Sequence, residues 1–330
     1  MTNVLAVRLL LINGAGATFP YPIYSKWFYE YAKIDETVNF NYQSIGSGGG
    51  IRQITEKTVD FGATDGPMTD EQLNKAGGEM FHIPMVAGAV VLTYNLPDVR
   101  ANNHSPLRFS PDVVADIFMG KIKKWNDQKI ARDNPGVNLP DKKIVVVHRS
   151  DGSGTTYIFV DYLSEISGVW KSKVGKGTSI NWPVGLGGKG NEGVTGLVKQ
   201  TPGSIGYVEL AYAVKNKLPY GDIKNSAGNF ITPSLESVTR ALDAKVDTMP
   251  SDFRVSLVNP PGKDAYPVAG LTWILVYKNQ NDKAKGEKIV RFLNWAVTDG
   301  QKYAPELLYA PLPDSLVKKI EKKISEIQVR

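Results

Sequence analysis

The sequence predicts an α/β protein made of two lobes, and three observations support this prediction. Short apolar, β-rich segments alternate with segments of helical periodicity, which is typical of mostly parallel sheets flanked by helices. The 330 residues correspond to roughly two domains of ordinary size. Two apolar runs of similar composition, 83–95 and 266–278, predict that the chain crosses between the lobes twice, in paired segments. The first lobe is therefore expected to be discontinuous, with residues 9–95 and 264–330, and the second lobe to span residues 96–263.

The first lobe is predicted to alternate strands and helices from its N-terminal end. In chain order we expect a strand at 9–12 that ends in a glycine-rich turn, a helix at 21–34, a strand at 38–45, a helix at 51–58 and a strand at 59–63. Thr69 and Gln72 have the spacing of a capping box, which predicts the start of a further helix. The C-terminal residues return to this lobe as helices. Ile320, Ile324 and Ile327 recur at i, i+4 and i+7, so the last helix should have one apolar face.

The second lobe is predicted from the same signals. We expect a strand at 143–148, a helix after Gly152, and strands at 178–182 and 204–210. Residues 216–265 are rich in Asn, Pro, Asp and Ser, and this composition favours irregular surface structure. The chain has no fixed-period repeat of the solenoid kind, so the prediction of two globular lobes stands.

The composition excludes several classes of function. The chain has no cysteine, which excludes disulfides, cysteine-ligated zinc and a thiol nucleophile. Its three histidines, His82, His104 and His148, are far apart and have no zincin spacing, so we expect neither a metal centre nor another cofactor. Lys and Arg number 39 against 33 Asp and Glu, a modest net charge of +6. No basic stripe interleaved with aromatic residues is present, and we expect no nucleic-acid partner.

The N-terminal residues have two interpretations. Residues 4–7 and 9–12 are apolar and flank Arg8, which fits either the remnant of a signal peptide or an apolar first strand. No stretch of the sequence approaches the roughly 18 consecutive apolar residues that predict a membrane-spanning helix.

Four segments share one design, in which a strand is followed by small or hydroxyl residues and then by a helix. They are GAGATFP at 14–20, IGSGGG at 45–50, ATDG at 63–66 and HRSDGSGTT at 148–156. Helix N-termini expose unpaired N–H groups and carry the positive end of the helix dipole. Glycine lets a ligand approach that backbone closely, and Ser and Thr add hydroxyl donors. Several such ends in one cleft would bind an oxyanion.

Arg149 and Asp65 narrow the choice of anion. The planar guanidinium of Arg149 suits a tetrahedral oxyanion, and Asp151 is placed two residues on to hold it. The carboxylate of Asp65 would repel an anion unless the ligand carries a proton that it can donate to this group. Phosphate carries such a proton at neutral pH and sulfate does not.

At these residues the sequence closely resembles the phosphate-binding proteins of bacterial phosphate ABC transporters, which are type II periplasmic binding proteins. The matching stretches span most of the chain in collinear order: GAGATFP (14–20), IGSGGGIRQI (45–54), VDFGATDGPM (59–68), GKIKKW (120–125), HRSDGSGTT (148–156), WPVGLGGKGNEGV (182–194) and PGSIGYVELAYA (202–213). The resemblance implies two hinge-linked α/β lobes, each a mostly parallel sheet flanked by helices.

The resemblance also implies a ligand, a site and a partner. It implies that inorganic phosphate is bound by Thr18, Phe19, Ser47, Asp65, Arg149, Ser153, Gly154 and Thr155, with Asp151 pairing with Arg149 behind them. It further implies a periplasmic protein that delivers phosphate to the membrane permease subunits of an ABC transporter, without catalysis and without a cofactor. We expect the protein to be a monomer.

Alternatives stay open at this stage. The same pocket could serve another tetrahedral oxyanion, or a phosphate scavenger or sensor that is not coupled to transport. A serine hydrolase would need a histidine to approach Ser47 or Ser153 in space, since none is near in sequence. The run GLGGKG at 185–190 fits a dinucleotide fingerprint, with Glu209 about 20 residues on, but Lys189 suits that turn poorly. We interpret this run as a structural loop near the cleft.

Overall fold

Residues 9–97, 99 and 106–330 are described by a computed structural model of the chain, and they form an α/β fold around one mixed sheet. The strands are β1 Leu10–Gly16, β2 Val38–Ser44, β3 Phe61–Thr64, β4 Met80–Tyr94, β5 Arg108–Phe109, β6 Val145–Arg149, β7 Leu186–Gly188, β8 Ser204–Glu209, β9 Asp222–Lys224, β10 Phe230–Ile231, β11 Ala269–Tyr277, β12 Asn279–Gln280 and β13 Gln328–Val329. Within the described residues the main sheet has the order β2-β1-β3-β11-β4-β8-β6-β7.

Two groups of parallel strands lie on either side of a central antiparallel pair. β2, β1 and β3 are parallel to one another, and so are β8, β6 and β7. Between these groups, β11 and β4 run antiparallel from the Ala269–Ala89 pair to the Tyr277–Met80 pair. All 15 residues of β4 are buried, and its last five residues pair with β8. The two apolar runs of the sequence are therefore adjacent antiparallel strands, whereas their role as crossings between two lobes and the boundaries of those lobes stay predictions.

Helices cover the sheet and fill the connections between strands. They are α1 Tyr21–Tyr31, α2 Ser47–Thr55, α3 Asp70–Lys75, α4 Pro111–Phe118, α5 Gln128–Asp133, α6 Gly154–Ile166, α7 Gly168–Lys173, α8 Gly190–Gln200, α9 Leu210–Lys215, α10 Leu235–Val246, α11 Lys283–Val297 and α12 Asp314–Ser325. Two short 3₁₀ helices, Asp299–Tyr303 and Pro305–Leu307, precede α12. Within the described ranges, no helix combines the length and the apolar character needed to cross a bilayer.

Several local predictions are confirmed. The capping box is present, since Thr69 Oγ1 accepts from the Gln72 amide (3.2 Å) and Gln72 Oε1 accepts from the Thr69 amide (2.9 Å). The apolar face of α12 is buried through Ile320 and Ile324, and Ile327 is buried just after the helix ends. The N-terminal residues 4–8, whether signal-peptide remnant or strand, lie outside the described residues. The first strand begins at Leu10.

Two other local predictions need correction. Residues 216–265 are largely irregular, as predicted, but they also contain β9, β10 and α10, and Val238 and Leu242 of α10 are fully buried. Polar composition concealed the apolar stripe of this amphipathic helix. Residues 178–182 form no strand, and the strand of this region is β7. Trp182 instead stacks on His148, with ring centroids 4.8 Å apart, and the Thr178 carbonyl oxygen accepts from the Ser153 amide at 2.7 Å, so single contacts rather than a strand ladder hold the segment.

Candidate anion site

The four predicted loop segments meet at the carboxyl ends of parallel strands. Thr18 and Phe19 lie between β1 and α1, Ser47 begins α2, and Asp65 follows β3. Arg149 ends β6, and Ser153 caps the following helix, α6, whose first two residues are Gly154 and Thr155. Every predicted ligand-binding residue is buried, with exposed fractions of 0–3 % for Thr18, Phe19, Ser47, Asp65, Arg149, Ser153 and Thr155. The predicted residues therefore form one buried cluster.

The N-termini of α2 and α6 face each other closely, although their residues belong to different predicted lobes. The Gly48 amide donates to the Gly152 carbonyl oxygen at 2.9 Å. A Cβ atom on Gly154 would lie 2.4 Å from Ser47 Oγ and 2.5 Å from Asp65 Oδ2. Only a residue without a side chain fits at position 154, so the two segments are in direct contact around Asp65.

Arg149 is held by a bidentate ion pair. Its Nε donates to Asp151 Oδ1 at 2.7 Å and its Nη2 donates to Asp151 Oδ2 at 2.5 Å. The Gly190 amide donates to Asp151 Oδ1 as well, at 3.0 Å. Burial raises the pKa of Asp151, but the bonds from Arg149 and Gly190 outweigh it and keep this pKa below its ordinary value. The ion pair fixes the plane of the guanidinium and leaves Nη1 facing the cluster. Nη1 lies 3.4 Å from Thr155 Oγ1.

Asp65 is the acceptor of the cluster. Its side chain is 1 % exposed, and neither carboxylate oxygen has a hydrogen-bond partner among the described residues. Burial raises the pKa of Asp65 to about 7, and the nearby Thr272 and Ser47 hydroxyls and the Arg149 charge counteract this only in part. A buried carboxylate without partners is costly, and a ligand O–H that donates to it removes that cost.

Two serine hydroxyls of the cluster accept hydrogen bonds and donate none within the described structure. Ser47 Oγ accepts from the Asp65 amide at 3.1 Å. Ser153 Oγ accepts from the Thr156 amide at 2.9 Å, which is its N-cap bond. Their O–H groups are therefore available to a ligand, together with the Thr18 and Phe19 amides, which donate to no acceptor in the described part of the chain.

Sequence reasoning missed a buried group of residues behind the cluster. Asn191 is fully buried in α8, and its Nδ2 lies 2.8 Å from Thr18 Oγ1 and 3.1 Å from Thr155 Oγ1. The Tyr212 hydroxyl donates to the Thr18 carbonyl oxygen at 2.6 Å. Glu209 is fully buried, and its amide donates to Asn191 Oδ1 at 2.9 Å. These residues lie in the stretches 182–194 and 202–213, which carry the family resemblance, but no local pattern marks them as polar contacts of the site.

Comparisons with known proteins show which family this chain belongs to. A family model described as a PBP superfamily domain matches residues 7–299. A phosphate-binding protein PstS of Xylella fastidiosa (strain Temecula1) is 48% identical over 310 residues, which cover 94% of this chain and 84% of that protein. A phosphate-binding protein PstS of Pasteurella multocida is 47% identical over 321 residues, covering 97% and 91%.

This chain belongs to the PstS family of phosphate-binding proteins within the PBP superfamily. The fold agrees as well. A solved phosphate-binding protein from Stenotrophomonas maltophilia superimposes with a TM-score of 0.71 at 18% identity, covering 94% of this chain and 93% of that one. The likeness in fold extends over nearly the whole chain, including the α/β arrangement predicted from sequence.

The GLGGKG run forms β7 and the start of α8, so it does occupy a strand–helix turn. The Gly190 amide at that turn is engaged with Asp151, and Lys189 is exposed. The turn therefore supports the ion pair of Arg149, which agrees with its interpretation as a structural loop near the cleft.

Histidine contacts do not support a serine nucleophile in the described residues. His82 Nε2 accepts from the Met68 amide at 3.0 Å, and burial lowers the pKa of His82 to about 4. His148 stacks on Trp182, and its Nδ1 lies 3.0 Å from the Arg149 carbonyl oxygen. Within the described ranges neither histidine bonds to Ser47 or Ser153; His104 lies outside them. The nucleophile–base contact that a serine hydrolase requires is thus not made by His82 or His148.

Proposed function

We propose that this protein binds inorganic phosphate in the buried cluster and delivers it to the membrane permease of an ABC transporter. The observation that carries the proposal is the pairing of many available donors with one unpartnered acceptor. Serine and threonine hydroxyls, first-turn amides and the Arg149 guanidinium surround Asp65, whose two oxygens have no partner in the described structure. A hydrogen phosphate ion has the matching set of groups, since its charged oxygens accept and its O–H donates.

Each predicted contact has a distinct role in this proposal. The Thr18 and Phe19 amides and the Thr18 hydroxyl bind one side of the ion, and Ser47 binds it through its amide and hydroxyl. Ser153, Gly154 and Thr155 bind it from the N-terminus of α6, where the helix dipole favours negative charge. Arg149 supplies the positive charge through Nη1, with its orientation set by Asp151.

Asp65 is proposed to select phosphate over sulfate. A phosphate O–H that donates to the Asp65 carboxylate forms a charge-assisted hydrogen bond in a site shielded from water. Sulfate has no proton at neutral pH, so its oxygen would face the carboxylate as a like charge. Sites built around a hydrogen-bonding group can reject analogues that lack it by roughly 10⁴–10⁵-fold. Arsenate is protonated like phosphate and should bind.

Capture and release are proposed to use the two predicted lobes. Thr18, Ser47 and Asp65 belong to the first lobe and Arg149, Ser153 and Thr155 to the second, so the anion stabilises the closed arrangement over an open one. We infer that the protein is a monomer of the periplasm, as the family resemblance implies. It binds and releases phosphate unchanged, because no step of this scheme breaks a covalent bond.

Calorimetric titration with phosphate, arsenate and sulfate at pH 8 tests the proposal. We expect stoichiometric binding of phosphate and arsenate and much weaker binding of sulfate. Equal affinity for phosphate and sulfate would favour a general oxyanion-binding protein, and no phosphate binding would refute the proposal. Incubation with a phosphate monoester should release no phosphate, whereas turnover would identify an enzyme. Reconstitution with the permease in vesicles separates a transport protein from a scavenger or sensor, since only the former stimulates uptake.

A further inference from the structure

Asn191 connects hydroxyl groups that come from both predicted lobes. Its two Nδ2 hydrogens are directed to Thr18 Oγ1 at 2.8 Å and to Thr155 Oγ1 at 3.1 Å. Its backbone amide also donates to Thr18 Oγ1, at 3.2 Å. Thr18 lies in the first lobe, and Thr155 and Asn191 lie in the second. One buried amide therefore contacts two hydroxyls of the anion site at once.

The orientation of this amide is fixed by a further contact. Asn191 Oδ1 accepts from the Glu209 amide at 2.9 Å, so the carbonyl side of the group must face β8 and the NH₂ side must face the hydroxyls. The Asn191 carbonyl oxygen accepts from Thr195 Oγ1 at 2.7 Å, which holds the residue in the first turn of α8. Every polar group of Asn191 is thus engaged.

These contacts determine the direction of the two hydroxyl protons. A hydroxyl has one proton to donate and two lone pairs to accept with. Both lone pairs of Thr18 Oγ1 are occupied by N–H groups of Asn191. Those of Thr155 Oγ1 are occupied by Asn191 Nδ2 and by Arg149 Nη1, the latter at 3.4 Å. Neither hydroxyl can therefore act as an acceptor toward a ligand, and each is left with only its O–H.

We propose that Asn191 is a positioning residue that makes the Thr18 and Thr155 hydroxyls obligatory donors toward the bound oxyanion. The inference rests on the proposed function, because it concerns the same anion. Hydrogen phosphate has one proton, which is directed to Asp65, so it has none left for these hydroxyls to accept. A site whose hydroxyls were free to rotate would spend part of its time presenting lone pairs to the anion. Asn191 removes those orientations before the ligand arrives, so less ordering is needed on binding.

An Asn191→Asp variant reverses the polarity of this contact. The introduced carboxylate accepts from both hydroxyls and draws their protons away from the ligand. We expect phosphate affinity to fall by about 100-fold or more at pH 8.5, the loss of two charge-assisted bonds, and to recover at least about tenfold by pH 5.5 as the carboxyl becomes protonated. The quantity to report is the ratio of variant to wild-type affinity at each pH, so that the titration of phosphate itself cancels.

The charged and titratable groups around Asn191 are Glu209, which binds it through the backbone amide, Glu192 next in α8, Arg149 through Thr155, Asp151 through Gly190, and Asp65 across the site. Their titration cancels in this ratio as far as it is common to variant and wild type. Asn138→Asp is the matched control, because Asn138 is exposed and precedes the N-terminal end of β6, away from the site. Its affinity ratio should stay near one throughout. A ratio for Asn191→Asp that does not change with pH would overturn the proposal.

A double-mutant cycle provides a test that does not depend on the charged variant. Asn191→Leu keeps the approximate volume of the side chain and removes both donors. In the wild-type background we expect it to weaken phosphate binding about tenfold; in a Thr18→Val, Thr155→Val background it should have less than about a twofold effect. The same loss in both backgrounds would overturn the proposal, because Asn191 would then act independently of the hydroxyls.

The wild-type titration separates the two levels of inference. If wild type binds phosphate and the cycle shows no coupling, the role of Asn191 is refuted and the proposed function stands. If wild type does not bind phosphate, the proposed function and this inference both fall. Melting temperatures of all variants, measured without ligand, show whether a loss of affinity comes from loss of fold.

Discussion

Sulfate binding by this protein should depend on pH through one side chain, Asp65. Burial raises the pKa of Asp65 to about 7, whereas an exposed aspartate has a pKa of about 3.9. A difference of about three pKa units corresponds to roughly 4 kcal/mol against the charged form in the closed site. In the proposed site, phosphate would offset part of this cost by donating its O–H to Asp65. Sulfate has no such proton, so a closed sulfate complex requires Asp65 itself to be protonated.

The sign follows from proton linkage. In an open site with an ordinary pKa, Asp65 is charged above pH 5, whereas in the closed site it is protonated below about pH 7. Sulfate binding therefore takes up a proton between these two values, and affinity rises as the pH falls. From pH 8 to pH 5 we expect an increase of about 85-fold, which approaches tenfold per pH unit below pH 7. A protonated Asp65 also donates to a sulfate oxygen instead of repelling it.

The assay is calorimetric titration of sulfate at pH 8, 7, 6 and 5, with wild type and Asp65→Asn. The amide of Asp65→Asn can donate at every pH, so its sulfate affinity should exceed that of wild type at pH 8 and stay nearly constant. Asp243→Asn removes an exposed carboxylate of α10 and should keep the wild-type profile. A wild-type affinity that does not change with pH, or a slope that persists in Asp65→Asn, would refute the reasoning.

Three further predictions concern the geometry of the site. Arg149→Lys should weaken phosphate binding because an ammonium cannot reproduce the planar pair with Asp151, and Arg149→Ala should weaken it more, by about 1.5–3 kcal/mol, as measured by titration. Gly154→Ala should abolish phosphate binding with little change in melting temperature, since the added Cβ would lie 2.4 Å from Ser47 Oγ and prevent closure; Gly168→Ala, whose Cβ meets nothing within 4 Å, should bind normally. Phosphate should raise the melting temperature and reduce the radius of gyration measured by small-angle scattering, and an unchanged radius at saturation would argue against a hinge.

The positions of the candidate site residues could be predicted because most of them lie where a strand is followed by small or hydroxyl residues and then by a helix. Gly154 follows a serine N-cap, and the glycines at 46–50 precede or begin a helix, so strand–loop–helix order alone places these residues at one edge of a sheet. Asp65 was identified by a chemical argument, since a carboxylate among anion donors needs a proton from its ligand. The structure adds that this carboxylate has no other partner in the described residues.

Asn191 could not be predicted because its role depends on contacts between distant parts of the chain. Its partner Thr18 is 173 residues away, and the Glu209 amide that fixes its orientation belongs to a different strand. The missed helix α10 has another cause. Its apolar positions, such as Val238 and Leu242, lie in a segment that is polar on average. The composition of the whole segment therefore concealed the helical spacing of the apolar residues, which form the buried face of α10.

The position of β11 between β3 and β4 has a consequence for biosynthesis. β3 and β4 are made early, yet their common neighbour is Ala269–Tyr277, and the hydrogen bond from Thr272 Oγ1 to the Thr64 carbonyl oxygen joins residues 208 positions apart. While the chain is still on the ribosome, the facing edges of β3 and β4 have unpaired backbone groups, which are templates for aggregation. Closing such a long loop is slow. The strands β1, β2 and β3 can therefore be joined to β4 only after most of the chain has been synthesised. A nascent chain that ends before residue 269 should bind a holdase chaperone through β4.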